Sequence, residues 1–288
     1  MKRVLFLFLI LLLVGRFSAR GEFPQRIISL APSLTKNLVL LHAQNLVVGC
    51  TGYCPAAVRD SSAAEVVASA MQVNFEKALL LHPDLVITTG MTNPKIINTF
   101  RKLSIPVKVF PTPHSFQEIC SQFVELGTML GKQKFAQQLI LRQQAKLKKI
   151  RTGGFDRKSF SVFMQIGANP LYGVVPGTFM NDFIRFSGGK NILANLKQGN
   201  VNRETVLLRN PDVIIVVLMG SLGKNEMENW EKFTALNAVK RQKVFTVNAD
   251  NTCSPTPVSF VNALGEIIRL VDRPTAGKVL TVTEQKIN

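Results

Sequence analysis

An α/β protein of two lobes, each built on a mainly parallel sheet flanked by helices and joined by one long helix, is the fold class that the 288 residues predict. Three observations carry this. Short apolar strands alternate with helical segments along the chain, the grammar of parallel pairing. One 15-residue pattern occurs twice, at an offset of 128. A 20-residue amphipathic segment lies between the two copies. With 46% hydrophobic and 18% charged residues the chain has the apolar material for such cores and is not a disordered composition.

Lys2 and Arg3 precede eleven unbroken apolar residues, Val4 to Val14, and Ala19-Arg20-Gly21 supplies small residues where a signal peptidase cuts. Residues 1–21 therefore read as a cleavable signal peptide, with Glu22 as the mature start. Eleven residues fall well short of the ~20 that span a bilayer. No Cys stands where lipid attachment would need one, so a periplasmic address without a lipid anchor is expected.

The mature chain then reads in order. Residues 26–31 form a strand ending at Pro32, after which Ser33 or Thr35 can cap a helix through Leu41. Strands follow at 46–49 and 85–89, a helix at 94–103, a strand at 107–110 and a long helix at 115–130. This is the first lobe, residues 22–131. In 132–153, Ala136, Leu139, Ile140, Leu147 and Ile150 share one stripe among Lys, Arg and Gln, so a rigid helix is expected there. The second lobe, 154–288, repeats the grammar. Strands are expected at 159–166, 213–217 and 244–247, and a helix at 178–186. A last helix runs from Pro257 to about Leu270, its proline suited to the first turn, and a tail follows.

The repeat is VNFEKALLLHPDLVI at 73–87 and VNRETVLLRNPDVII at 201–215. Each copy predicts a short helix carrying Glu76 or Glu204 near its N-terminus, where the helix dipole favours a carboxylate. A Pro-Asp turn then delivers a buried parallel strand.

Chemistry is sparse. There is no phosphate-binding loop, dinucleotide fingerprint, nucleophile elbow or His-Glu-x-x-His. Of three His, His42 and His82 fall on or beside apolar helical segments and are expected to be structural, while His114 lies in a more exposed loop from which it could approach a ligand. No zinc spacing appears. Cys50, Cys54, Cys120 and Cys253 either pair in an oxidising compartment or are simply buried. The formal charge of +17 falls to +13 once the four basic residues of the signal peptide are removed. The remaining cations are scattered and no stacking pattern accompanies them, so no nucleic-acid partner is expected. Ligands of open α/β sheets bind at the carboxyl ends of the strands. Those ends hold Ser33, Thr89, Met91, Gln165, Asn169, Asp250 and Asn251, with Tyr53, Phe163, Tyr172 and Trp230 as stacking candidates.

RIISLAPSLTKNLVLLHAQNLVVGCTGYC, VNFEKALLLHPDLVI and NPLYGVVPGTFMNDFIRFSGGKNILA resemble motifs of the helical-backbone (class III) periplasmic substrate-binding proteins, which serve ABC importers of vitamin B12, ferric siderophores and haem. The resemblance runs from about Arg26 to Leu270. It implies two Rossmann-like lobes, a ligand cleft between them, and 132–153 as the connecting helix. It makes Glu76 and Glu204 the carboxylates that dock onto arginines of a membrane permease, which a cytoplasmic ATPase drives. It implies a monomer without catalysis or covalent cofactor. It implies a cobalt corrinoid or an iron chelate as the expected ligand, a B12-like corrinoid favoured over a ferric siderophore. Haem, or an exported α/β enzyme, is the alternative. Two residues depart from the usual pattern: Lys36 stands where many members have Glu, and Val258 follows Pro257 where many have Arg.

Overall fold

The computed structural model describes residues 23–59, 64–69, 72–152, 159–218 and 222–273. The signal-peptide segment and the tail after Arg273 lie outside the described residues.

The first sheet has five parallel strands: β1 (Ile27–Ser29), β2 (Val47–Thr51), β3 (Glu65–Ala68), β4 (Leu85–Thr89) and β5 (Val107–Phe110). Their order is β3-β2-β1-β4-β5. Helices α1 (Pro32–Leu40), α2 (Ala56–Arg59), α3 (Phe75–Leu80) and α4 (Pro94–Lys102) connect them. Ile27, Ile28, Val86 and Ile87 have no solvent exposure, as expected for central parallel strands covered on both faces. The second sheet contains β6 (Phe160–Ala168), β7 (Leu171–Gly173), β8 (Gly189–Asn191), β9 (Val213–Leu218) and β10 (Val244–Asn248). Its main path is β10-β9-β6-β7, with β8 also pairing β6. Only β7 runs antiparallel, as a short return from β6. Strands β3, β7 and β8 are only three or four residues long, too short for their pattern to announce them.

Helices α5 (Phe116–Met129) and α6 (Gln133–Thr152) lie between the sheets in sequence. The apolar stripe expected on α6 is real. Ala136, Ile140 and Leu147 are buried, and Leu139 and Ile150 pack against the same core. The helix does not stand free, because it packs along α5 and along the last long helix, α12 (Pro257–Asp272). A Cβ on Gly127 of α5 would lie 2.6 Å from the Cβ of Ala136, so the glycine sets how closely α5 and α6 approach. The second half also carries α7 (Asn181–Phe186), α8 (Arg203–Arg209), α9 (Leu222–Glu231), α10 (Asn237–Lys240) and α11 (Ala249–Cys253).

Local chemistry corrects several boundaries. Neither Ser33 nor Thr35 caps α1: Ala31 holds the N-cap position, and the buried Thr35 hydroxyl donates to Ser29 Oγ at 2.9 Å. The helix expected from Thr178 starts at Asn181, because Gly177 adopts φ +80° and Thr178 Oγ1 donates to the Val175 carbonyl. His42 and His82 are exposed residues in the left-handed region just after α1 and α3, and are not part of the core. Cys50, Cys54 and Cys120 are buried, while Cys120 and Cys253 carry free thiols. Burial pushes the Cys120 thiol up to about 12, so it stays protonated and inert. Among the described residues no helix is long and apolar enough to cross a membrane.

Candidate ligand and docking sites

Three contacts join the segments that follow strand ends in the two sheets. Lys36, early in α1 just after β1, reaches α11 just after β10. Its ammonium donates to Asp250 Oδ1 at 2.6 Å and to the Asp250 carbonyl at 2.8 Å. His114, in the loop after β5, donates from Nδ1 to the Gly177 carbonyl at 2.7 Å. The backbone N–H of Phe116 donates to Asp182 Oδ2 at 2.9 Å, and Arg185 holds the other oxygen of that buried carboxylate at 3.0 Å. The carboxyl edges of the sheets therefore face each other, which is where an open α/β sheet receives ligands.

Most of the expected ligand residues lie at these edges. Tyr53 is 71% exposed, Met91 83% and Tyr172 39%. Asn169 is exposed, and Ser33, Thr89 and Asn251 are half-buried. Asp250 is exposed but engaged by Lys36. These side chains near the strand ends are thus apolar and aromatic, with amide and hydroxyl groups and one ion pair among them. Among the described residues no group of three His, Cys, Asp or Glu side chains is arranged to hold a metal ion.

Trp230 and Gln165 require correction, and Phe163 with them. Trp230 has no exposed surface and cannot stack on a ligand in this arrangement. Its indole N–H donates to Gln165 Oε1 at 2.6 Å, its ring meets fully buried Phe163 edge-on at 5.8 Å, and the Arg203 guanidinium lies 4.6 Å over it. Gln165 Nε2 donates in turn to Glu226 Oε2 at 2.8 Å. Arg203 Nη2 donates to both Glu226 oxygens, at 2.9 and 2.8 Å. Apart from Arg203 Nη1, which is buried without a hydrogen-bond partner, these groups satisfy one another inside the second lobe, as the cost of a buried unpaired polar group demands. Sequence reasoning had no signal for this network, whose members come from β6, α8 and α9.

The repeat folds the same way twice. Asn74 and Asn202 are the N-caps of α3 and α8, accepting from the N–H of Lys77 and of Thr205, each at 2.9 Å. Glu76 and Glu204 follow in the first turn and both are exposed. His82 (φ 45°) and Asn210 (φ 42°) follow the two helices in the left-handed region. The Pro-Asp carboxylates, whose role the sequence did not disclose, tie each unit to the neighbouring strand. Asp84 accepts from the N–H of Gln25 at 2.7 Å and of Arg26 at 3.1 Å, just before β1. Asp212 accepts from the N–H and hydroxyl of Ser161 in β6, both at 2.9 Å.

Known proteins are similar to this chain in sequence and fold. Residues 27–250 match the family described as periplasmic binding protein. An uncharacterized ABC transporter substrate-binding lipoprotein, YvrC of Bacillus subtilis, is 28% identical over 261 residues, covering 85% of this chain and 80% of that protein. A vitamin B12-binding protein of Yersinia pseudotuberculosis is 26% identical over 272 residues, covering 93% and 94%. The crystal structure of the periplasmic vitamin B12-binding protein BtuF of Vibrio cholerae superimposes with a TM-score of 0.74 at 25% identity, over 86% of this chain and 97% of that one.

Proposed function

The chain belongs to the periplasmic binding protein family, and from that premise we propose that it captures a metal chelate between its lobes and delivers it to the membrane permease of an ABC importer. The relatives are an ABC transporter substrate-binding lipoprotein and vitamin B12-binding proteins. A cobalt corrinoid is the favoured ligand, a ferric siderophore the next. The observation that carries the corrinoid reading is the exposed Tyr53, Met91 and Tyr172 at the facing strand ends, a surface suited to the broad apolar face of a macrocycle. The vitamin B12-binding relatives support it.

Delivery falls to Glu76 and Glu204, one exposed carboxylate in equivalent positions of each lobe. Two such groups on one frame match a permease of two related subunits through charge-assisted contacts.

Calorimetric titration of the mature protein with cyanocobalamin, haemin and ferric hydroxamates tests the ligand. Cobalamin is expected to bind most tightly. Tyr53→Ala and Tyr172→Ala should each weaken it by roughly tenfold, the effect of removing a buried aromatic contact. Tighter binding of haemin, or tyrosine variants that bind like the wild type, would overturn the corrinoid reading. Fluorescence is the poorer readout, since the single tryptophan lies in the core.

A further inference from the structure

The docking helices α3 and α8 carry a second repeated feature that the carboxylates do not explain. Leu80 is 71% exposed and Leu208 is 86% exposed. They occupy equivalent places in the two copies of the repeat, 128 positions apart, each four residues after Glu76 or Glu204. Residues at that spacing share one face of a helix. The opposite faces are pinned inward by Ala78 and Val206, also equivalent and both fully buried. A single exposed leucine needs no explanation. Two in matching positions, each beside a carboxylate and each on a surface helix of a different lobe, are a repeated surface.

We propose that Leu80 and Leu208 are the apolar anchors of the docking face, so that each half-site is a carboxylate plus a leucine one turn on. This rests on the reading of Glu76 and Glu204 as docking residues. The partner chemistry follows: two equivalent acceptors, each presenting a cation beside an apolar pocket, on the paired membrane subunits of the importer. A second copy of this chain fits poorly. Patch-to-patch contact would set carboxylates against carboxylates, and the nearby cations are engaged elsewhere. Lys77 pairs with Glu65 at 2.8 Å, and Arg209 donates to the Ile192 carbonyl and to Asn195 Oδ1.

The test measures docking of the mature protein to its cognate importer, with ATPase, reconstituted in nanodiscs at low and high salt, alongside ligand affinity by calorimetry. Leu80→Ala/Leu208→Ala is expected to weaken docking by at least roughly tenfold, as loss of two buried leucine contacts would. Its salt dependence should match the wild type, and ligand affinity should be unchanged. Glu76→Gln/Glu204→Gln should weaken docking and flatten the salt dependence, because a screened attraction has been removed. If the leucine variant docks like the wild type while the glutamine variant fails, the leucine role is wrong and the carboxylate docking reading stands. If the glutamine variant docks normally while the leucine variant fails, the paired half-site and the reading beneath it both fall. Wild-type docking by both variants has the same consequence. A wild-type dimer in light scattering that Leu80→Ala/Leu208→Ala abolishes would assign the face to a second copy and overturn the proposal.

Discussion

Glu226 is almost wholly buried, yet it is held ionised. Burial alone pushes its carboxyl up. The donors Gln165, Arg203 and Asn229, with the charge of Arg203, outweigh that and leave it below the ordinary carboxylate value. A carboxyl depressed in the folded state contributes stability that is present above its unfolded pKa and is lost as pH falls through the folded one. The acid limb of unfolding therefore has a contribution from this one residue. In Glu226→Gln the stability is expected to vary less steeply with pH below the ordinary carboxylate range, measured as urea midpoints across a pH series. An unchanged acid limb would show that the group does not titrate with folding. Arg203→Leu leaves the carboxylate buried without its main partner and should cost about 3 kcal/mol at neutral pH.

Among elements, the contact of α5 with α6 is a close one. Gly127 and Ala136 meet where no further carbon fits, and interiors have no slack to absorb one. Gly127→Leu should destabilise the protein by roughly 1–3 kcal/mol through overpacking, read as a lower denaturation midpoint with an unchanged slope. Gly265 of α12 is the control, since a Cβ there would meet only ordinary contacts. Gly265→Ala should be neutral or slightly stabilising, because alanine favours the helix. A Gly127 variant as stable as the wild type would mean that α6 can slide on α5. The strand–helix units draw on a different device, the Asn caps and the Asp84 and Asp212 carboxylates that tie each unit to a neighbouring strand.

At the scale of the molecule the two halves share one apolar core. Phe183 stacks on Phe260 at 4.2 Å, and Phe260 on Phe116 at 4.6 Å, so α7, α12 and α5 form one continuous column. Ile140 and Leu147 of α6 belong to the same cluster. Two lobes joined by a packed interior do not hinge widely, in contrast to lobes joined by mobile strands. Small-angle scattering is expected to show the same radius of gyration with and without bound ligand. A large compaction on binding would contradict the shared core. Phe260→Ala should cost roughly 3–5 kcal/mol, and the loosened interface should then allow a ligand-dependent change in size.

The α/β class, the strands β4 and β5, the amphipathic α6 and the equivalence of Glu76 with Glu204 are legible in the chain before any fold is known. Each of these is written in local periodicity, in capping residues or in a repeated string. Packing between distant elements is what commits Trp230 and Gln165 to the core, leaves Leu80 and Leu208 exposed together with the carboxylates, and brings Lys36 to Asp250 across 214 positions of chain. Periodicity reports which face of an element is apolar. It does not report which distant element will cover that face, and a polar or aromatic side chain reads the same in sequence whether it is satisfied in a core or open at a cleft.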